Sequence, residues 1–134
     1  MSYEELSHTA DVKIRARAPT LDALFGEAFQ ALMQVMYGED RGGGTSRTLD
    51  INAPDLESLI CDFLSEALYV SEVDGLVFRQ ADVHLDGMQL YAILDGEPFD
   101  PARHKGTEVK GISYSGMSIQ RDAKGYMLDI LFDV

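Results

Sequence analysis

From Val12 to Ala18 the chain alternates: Val12, Ile14, Ala16 and Ala18 are apolar, while Lys13, Arg15 and Arg17 are basic. That period of two predicts a half-buried strand, and its basic side is read as a solvated sheet face ahead of a partner patch. Thr20 is suited to cap a helix, and Leu21, Leu24, Phe25, Ala28, Phe29, Leu32, Val35 and Met36 then recur at helical spacing as far as Gly38. The spacing predicts a helix over 21–37 whose Met and Phe stripe faces the core. From Gly38 to Ser46 no apolar residue occurs and Gly42-Gly43-Gly44 follow one another, which predicts a mobile loop. Its continuation Thr45-Ser46-Arg47 enters a strand, not a helix, so the glycines lack the arrangement of a phosphate-binding loop.

Thr48 to Ala53 reads as a second strand. Pro54 and Asp55 then open a helix with Leu56, Leu59, Ile60, Phe63, Leu64, Ala67 and Leu68 on one face, extending to about Tyr69. Asp62 and Glu66 are spaced i and i+4 and belong at the solvated edge of this helix, because an unpaired buried acid is costly. Val77–Leu85 and Met88–Leu94 flank Asp86-Gly87, a turn pair suited to a tight antiparallel hairpin. Val109–Arg121 and Tyr126–Asp133 form a second pair around Asp122-Ala123-Lys124-Gly125. The prediction is an α+β fold in one domain over residues 1–134, with two amphipathic helices packed on a largely antiparallel sheet of about six or more strands.

Composition narrows the function classes. With 134 residues and 46% hydrophobic content, the chain can bury one full core. A net charge of −12 opposes attraction to phosphate backbones, so direct nucleic-acid binding is not expected and a basic protein partner is. The single Cys61 excludes an internal disulfide and argues against a thiolate metal cluster, which fits a cytoplasmic setting. No apolar run reaches the roughly 18 residues that a membrane span needs. Met1-Ser2-Tyr3-Glu4-Glu5 also lacks the basic start and apolar core of a signal peptide, so neither secretion nor membrane insertion is expected.

Candidate chemistry lies at the two ends. Asp11 closes the segment Ser7-His8-Thr9-Ala10-Asp11, and Asp133 precedes Val134, each Asp abutting an apolar strand end. If the strand after Asp11 pairs with the last strand, two side-chain carboxylates and the carboxylate of Val134 converge as hard oxygen donors for Ca2+ or Mg2+. Spacing alone cannot establish that meeting, since these positions are brought together only by topology.

Several motifs follow one another along the chain: His8-Thr9-Ala10-Asp11, the Asp62-Phe63-Leu64-Ser65-Glu66 helix, and Gly96-Glu97-Pro98-Phe99-Asp100 with His104 nearby. They continue through Glu108-Val109-Lys110 with Ser113-Tyr114 to the ending Asp129-Ile130-Leu131-Phe132-Asp133-Val134. In these motifs and their order the chain resembles the archease family. The resemblance implies an accessory factor of an RtcB-type RNA ligase in tRNA splicing, one that promotes guanylation of the ligase with GTP and its turnover and broadens the nucleotide it accepts. The ligase then performs the chemistry, and this protein is a non-catalytic helper. The resemblance also implies a metal site at Asp11, Asp133 and Val134, with Ca2+ expected and Mg2+ or Mn2+ as alternatives. Lys110 and His104 are implied as contacts to the partner or a nucleotide, Lys110 as a point charge and His104 from a loop that is easy to expose. The alternatives are a stand-alone metal-dependent hydrolase and a metal-stapled interaction module; for the hydrolase, the sequence shows no nucleophile elbow and no clustered histidines.

Overall fold

The computed structural model describes the backbone of residues 1–8 and 11–134 and the side chains of residues 1–6 and 11–134. Seven strands and two helices follow in the order β1 (Ser2–His8), β2 (Asp11–Ala18), α1 (Leu21–Tyr37), β3 (Thr45–Asn52), α2 (Leu56–Asp74), β4 (Leu76–Asp86), β5 (Gln89–Pro98), β6 (Gly111–Asp122) and β7 (Gly125–Asp133). The strands divide into two antiparallel sheets, ordered β1-β2-β7-β6 and β3-β5-β4. The α+β architecture of the sequence reading is therefore present, as two sheets in place of one.

The alternation in β2 comes out as read: Val12, Ile14, Ala16 and Ala18 are buried. On its outer face Arg15 grips Asp129 of β7 through two hydrogen bonds of 2.7 and 3.1 Å, and Arg17 bonds Glu4 of β1 at 3.2 Å. Two of the three basic residues are thus spent on cross-strand acids, as a solvated sheet face would have it. α1 packs most extensively on β4 and β2 and also against β7 and β1, while α2 packs on β6, β3 and β4. Between them runs a chain of rings, with Phe25 and Phe29 of α1 at 6.2 and 6.0 Å from Phe63 of α2, and Phe29 at 6.4 Å from Phe78 of β4. Burying such rings supplies much of the apolar area that holds helices to sheet.

The helix caps follow local chemistry. The Thr20 hydroxyl accepts from Ala23 N–H, and the Asp55 carboxylate accepts from Ser58 N–H at 2.7 Å. α2 continues past Tyr69 to Asp74 and stops at Gly75, whose φ of 64° is left-handed. The apolar stripe hides this last turn because its inward position is Ser71, whose hydroxyl is satisfied by the Leu76 carbonyl at 2.6 Å and by Tyr37.

Four further readings are corrected. β1 was not expected; it adds an edge strand to the first sheet. The first hairpin turns one residue later, with Asp86 opposite Gln89 and Gly87-Met88 as its loop. Gly87 has φ 60° and, among the described residues, no non-glycine residue has positive φ, so glycine occupies the first loop position, where a II′ turn requires it. The segment 38–44, expected to be mobile, is anchored: Arg41 donates to the Phe78 carbonyl and to Gln30, Gly42 N–H to Glu97, and Gly44 N–H to Asp95. Finally, β6 starts at Gly111 and not at Val109, and it carries a bulge between Ser113 and Ser118.

Candidate functional site

β2 begins and β7 ends at the same end of the first sheet, and their register sets Asp11 opposite Asp133. Directly opposed residues share a face, and the neighbouring pair Val12 and Phe132 points into the core, so the two aspartates point outward. The sequence places two like charges at a cross-strand pair, an arrangement that opposes folding unless something cationic sits between them. Lys110 and Gly111 lie against the same residue: the Lys110 N–H donates to the Asp133 carbonyl at 2.7 Å, and Gly111 is the β6 register partner of Asp133. A side chain at Gly111 would start 3.7 Å from Asp133 Oδ2, so glycine leaves that flank of the carboxylate uncrowded. Val134 is half-buried against the core cluster.

Lys110 is exposed, and its ammonium has no ion-pair partner among the described residues. Topology thus brings Asp11, near the start of the chain, beside Lys110, Asp133 and Val134 near its other end. Among the described residues, no group of three or more His, Cys, Asp and Glu side chains forms a ready-made metal cage. The His8-Thr9-Ala10 part of the motif beside Asp11 lies outside the described side chains.

His104 is not in this group, and it is not exposed. It is 3% accessible. Its Nδ1 accepts the Asp100 N–H at 2.9 Å, which leaves Nε2 to donate to Glu97 at 3.0 Å. Both ring nitrogens are occupied, so a contact made through this ring to a partner would first have to break one of these bonds. The reading of His104 as a surface contact gives way to a structural role.

Glu97 is the hub of that knot. Its two oxygens receive Arg103 at 3.0 and 2.9 Å, the Gly42 N–H at 2.5 Å and His104. Arg103 first, then the Gly42 N–H, stabilise the ionised form and hold the Glu97 carboxyl down at about 2. Arg103 also forks onto Asp40 at 3.1 and 3.0 Å and holds that carboxyl below its ordinary value too. Phe99 stacks on the His104 ring with centroids 5.9 Å apart, and Tyr37 meets the same ring edge-on. Sequence reading had quoted Glu97 within a motif but missed its role, and it missed Arg103 and Asp40 altogether.

The knot and the carboxylate pair occupy the same end of the molecule. α1, 17 residues and so about 25 Å long, runs back along the eight-residue β2, returning its C-terminus to the Asp11 end. From His104 the chain presses against that helix end: Thr107 N–H bonds the Val35 carbonyl at 2.8 Å, and a Cβ on Gly106 would lie 2.4 Å from the same oxygen. Only glycine allows this approach, and the segment then delivers Lys110 to Asp133.

The class that the structure defines is a small α+β domain with an outward carboxylate pair, and the exposed Lys110 tied to its backbone, at one sheet end. Residues 3–134 match the model of the Archease protein family. Protein archease of Methanosarcina mazei is 34% identical over 139 residues, covering 98% of this chain and 95% of that one. Protein archease of Pyrococcus abyssi is 33% identical with 98% of each chain covered, and an archease-like protein of Drosophila melanogaster is 33% identical over all of this chain and 91% of its own. The chain belongs to the archease family. Two solved structures share the fold: the solution structure of Methanobacterium thermoautotrophicum protein 1598, at TM-score 0.77, 20% identity and 98% of each chain, and a crystal structure from Thermotoga maritima. The latter, described as an archease and possible chaperone, matches at TM-score 0.61 and 16% identity over 98% of this chain and 96% of its own.

Proposed function

We propose that this protein is a non-catalytic activator of an RtcB-type RNA ligase in tRNA splicing, which promotes guanylation of the ligase with GTP, sustains its turnover and broadens its nucleotide use. The observation that supports this reading is the opposed pair Asp11 and Asp133 with Lys110 tied to its backbone, in a chain that matches the archease family across residues 3–134. Asp11, Asp133 and Val134 would hold a calcium ion, with Mg2+ or Mn2+ as substitutes. Their donors are all oxygens, the type that hard cations take, and the outward pair has room for the water or partner oxygens that complete such a shell. The bound ion would cancel the repulsion of the pair and offer its remaining positions to oxygens of the partner or of its nucleotide.

The chain's own residues do the rest. Lys110, exposed beside the pair, is a point charge for a phosphate or an acidic group of the ligase. An accessory protein accelerates charging only by favouring a competent conformation or the transition state over the resting ligase, so the Asp11 end must bind those states more tightly. The setting is cytoplasmic, and the nucleic acid is handled by the ligase.

The deciding experiment is single-turnover guanylation of the ligase by GTP with and without this protein, and with Asp11→Ala, Asp133→Ala and Lys110→Ala. Faster charging by the wild type and not by the aspartate variants is the expected result. Unchanged stimulation by both aspartate variants would sink the role of the pair. Calcium-dependent stability without any effect on charging would make the ion a structural staple instead.

A further inference from the structure

The second sheet ends in an open edge. β3 pairs with β5 on one side and, among the described residues, with no strand on the other. The Ala53 N–H to Met88 carbonyl bond of 3.3 Å continues the register in which Asn52 faces Gln89, and it sets the phase of the ladder. Bonded and non-bonded pairs alternate between antiparallel strands, so Ile51 and Leu49 turn their backbone groups to β5. Thr48, Asp50 and Asn52 turn theirs to the open edge. Along that edge lies a groove of about 540 Å3, lined by residues 48–52 of β3 and by Asp62 and Glu66 of α2.

Both α2 acids are exposed, and neither has a hydrogen-bond or ion-pair partner among the described residues. Arg47 is otherwise engaged: it crosses to Asp74 at 2.9 Å and marks the limit of the groove toward the end of α2. The Asp50 carboxylate is taken by Gln89 at 2.7 Å. Gln89 is neutral, so the uncompensated charge of the groove rests on Asp50, Asp62 and Glu66, and the last two belong to the helix motif that the proposed calcium site leaves unused.

We infer that this edge receives an extended, basic segment of a partner protein as a fourth strand of the sheet. Backbone groups of Thr48, Asp50 and Asn52 would pair with the incoming strand, as sheet edges do in peptide recognition. Alternate lysines or arginines of the segment would meet Asp62 and Glu66. Four residues along a helix advance about 6 Å and two along a strand about 6.7 Å, so every second side chain of the guest matches the carboxylate spacing. A second copy of this chain is the wrong guest, because it would bring the same acids face to face between two molecules of net charge −12. The inference does not depend on the ligase reading, since a peptide alone tests it.

The test is a titration of 15N-labelled protein with a short peptide alternating lysine and threonine at low salt. Expected are shifts and slowed exchange at the amides of Thr48, Asp50 and Asn52, and binding weakened at least about tenfold by Asp62→Lys with Glu66→Lys. N-methylating alternate peptide nitrogens should abolish binding in one phase and spare it in the other, a readout of the backbone that surface charge alone would not give. Shifts at another surface, indifference to charge reversal, or equal tolerance of both methylated phases would overturn the inference. So would self-association without peptide that protects the same three amides.

Discussion

At the Glu97 knot both carboxylate oxygens meet donors, whereas at the neighbouring sheet end Asp11 and Asp133 meet each other. The two clusters share one end of the molecule and nearly the same residue types, yet chemistry separates them. Saturation is what a buried polar group needs if it is to stabilise a fold. Opposed like charges on an open face are what a fold tolerates when something else uses them. The contrast assigns His104 to architecture and leaves the aspartates, which residue type had already singled out as hard donors, as the pair on which the proposed function rests.

The sharpest break of this comparison is His104→Ala. It removes the donor to Glu97 and leaves the Asp100 N–H without its acceptor, at a cost of about 3 kcal/mol in urea unfolding. A loss below about 1 kcal/mol would show that the knot is dispensable. Next in size is calcium: at a hundredfold excess over its Kd the ion should stabilise the wild type by about 2.7 kcal/mol, and should leave Asp11→Asn and Asp133→Asn unmoved. Denaturation with calcium and then with chelator reads both.

Acid should separate the clusters more gradually. The Glu97 carboxyl is held at about 2 in the folded chain against an ordinary 4.5. A depressed pKa means that the folded state binds fewer protons, so the stabilisation is complete above pH 4.5 and is lost as pH falls from 4.5 toward 2. Glu97→Gln should flatten that limb of the urea midpoint plotted against pH, and an unchanged slope would remove Glu97 as its origin. The smallest effect has the opposite sign. Without calcium, Asp133→Asn relieves the like-charge pair and should raise stability by about 0.5 kcal/mol, while a clear loss would mean that the carboxylate has a native partner.

The parts of this molecule that could be read in advance are those whose signal is local. Both helices showed through their stripes and caps, and the hairpins through glycine-bearing turns. β1 did not, because its inward Tyr3 and its partly exposed Leu6 fall out of alternation across the register shift between Glu5 and Ser7. The anchoring of segment 38–44 was illegible for another reason: Glu97, Asp95 and Phe78, which hold it, are remote in sequence. The same holds at the site. Residue type singled out Asp11 and Asp133 as hard donors, but only the β2–β7 register makes them neighbours, and only three-dimensional packing buries His104.

The strand order β1-β2-β7-β6 has a further consequence, for the making of the protein. β7, the last of these strands in chain order, lies in the middle of its sheet. As the chain leaves the ribosome, β2 has a partner on one flank alone and β6 has none until residues 125–133 emerge. The apolar row Val12, Ile14, Ala16 and Ala18 must therefore wait through most of translation for the strand that completes its sheet. A nascent chain arrested before Gly125 should be cleaved readily by protease, and one carrying all of β7 should resist.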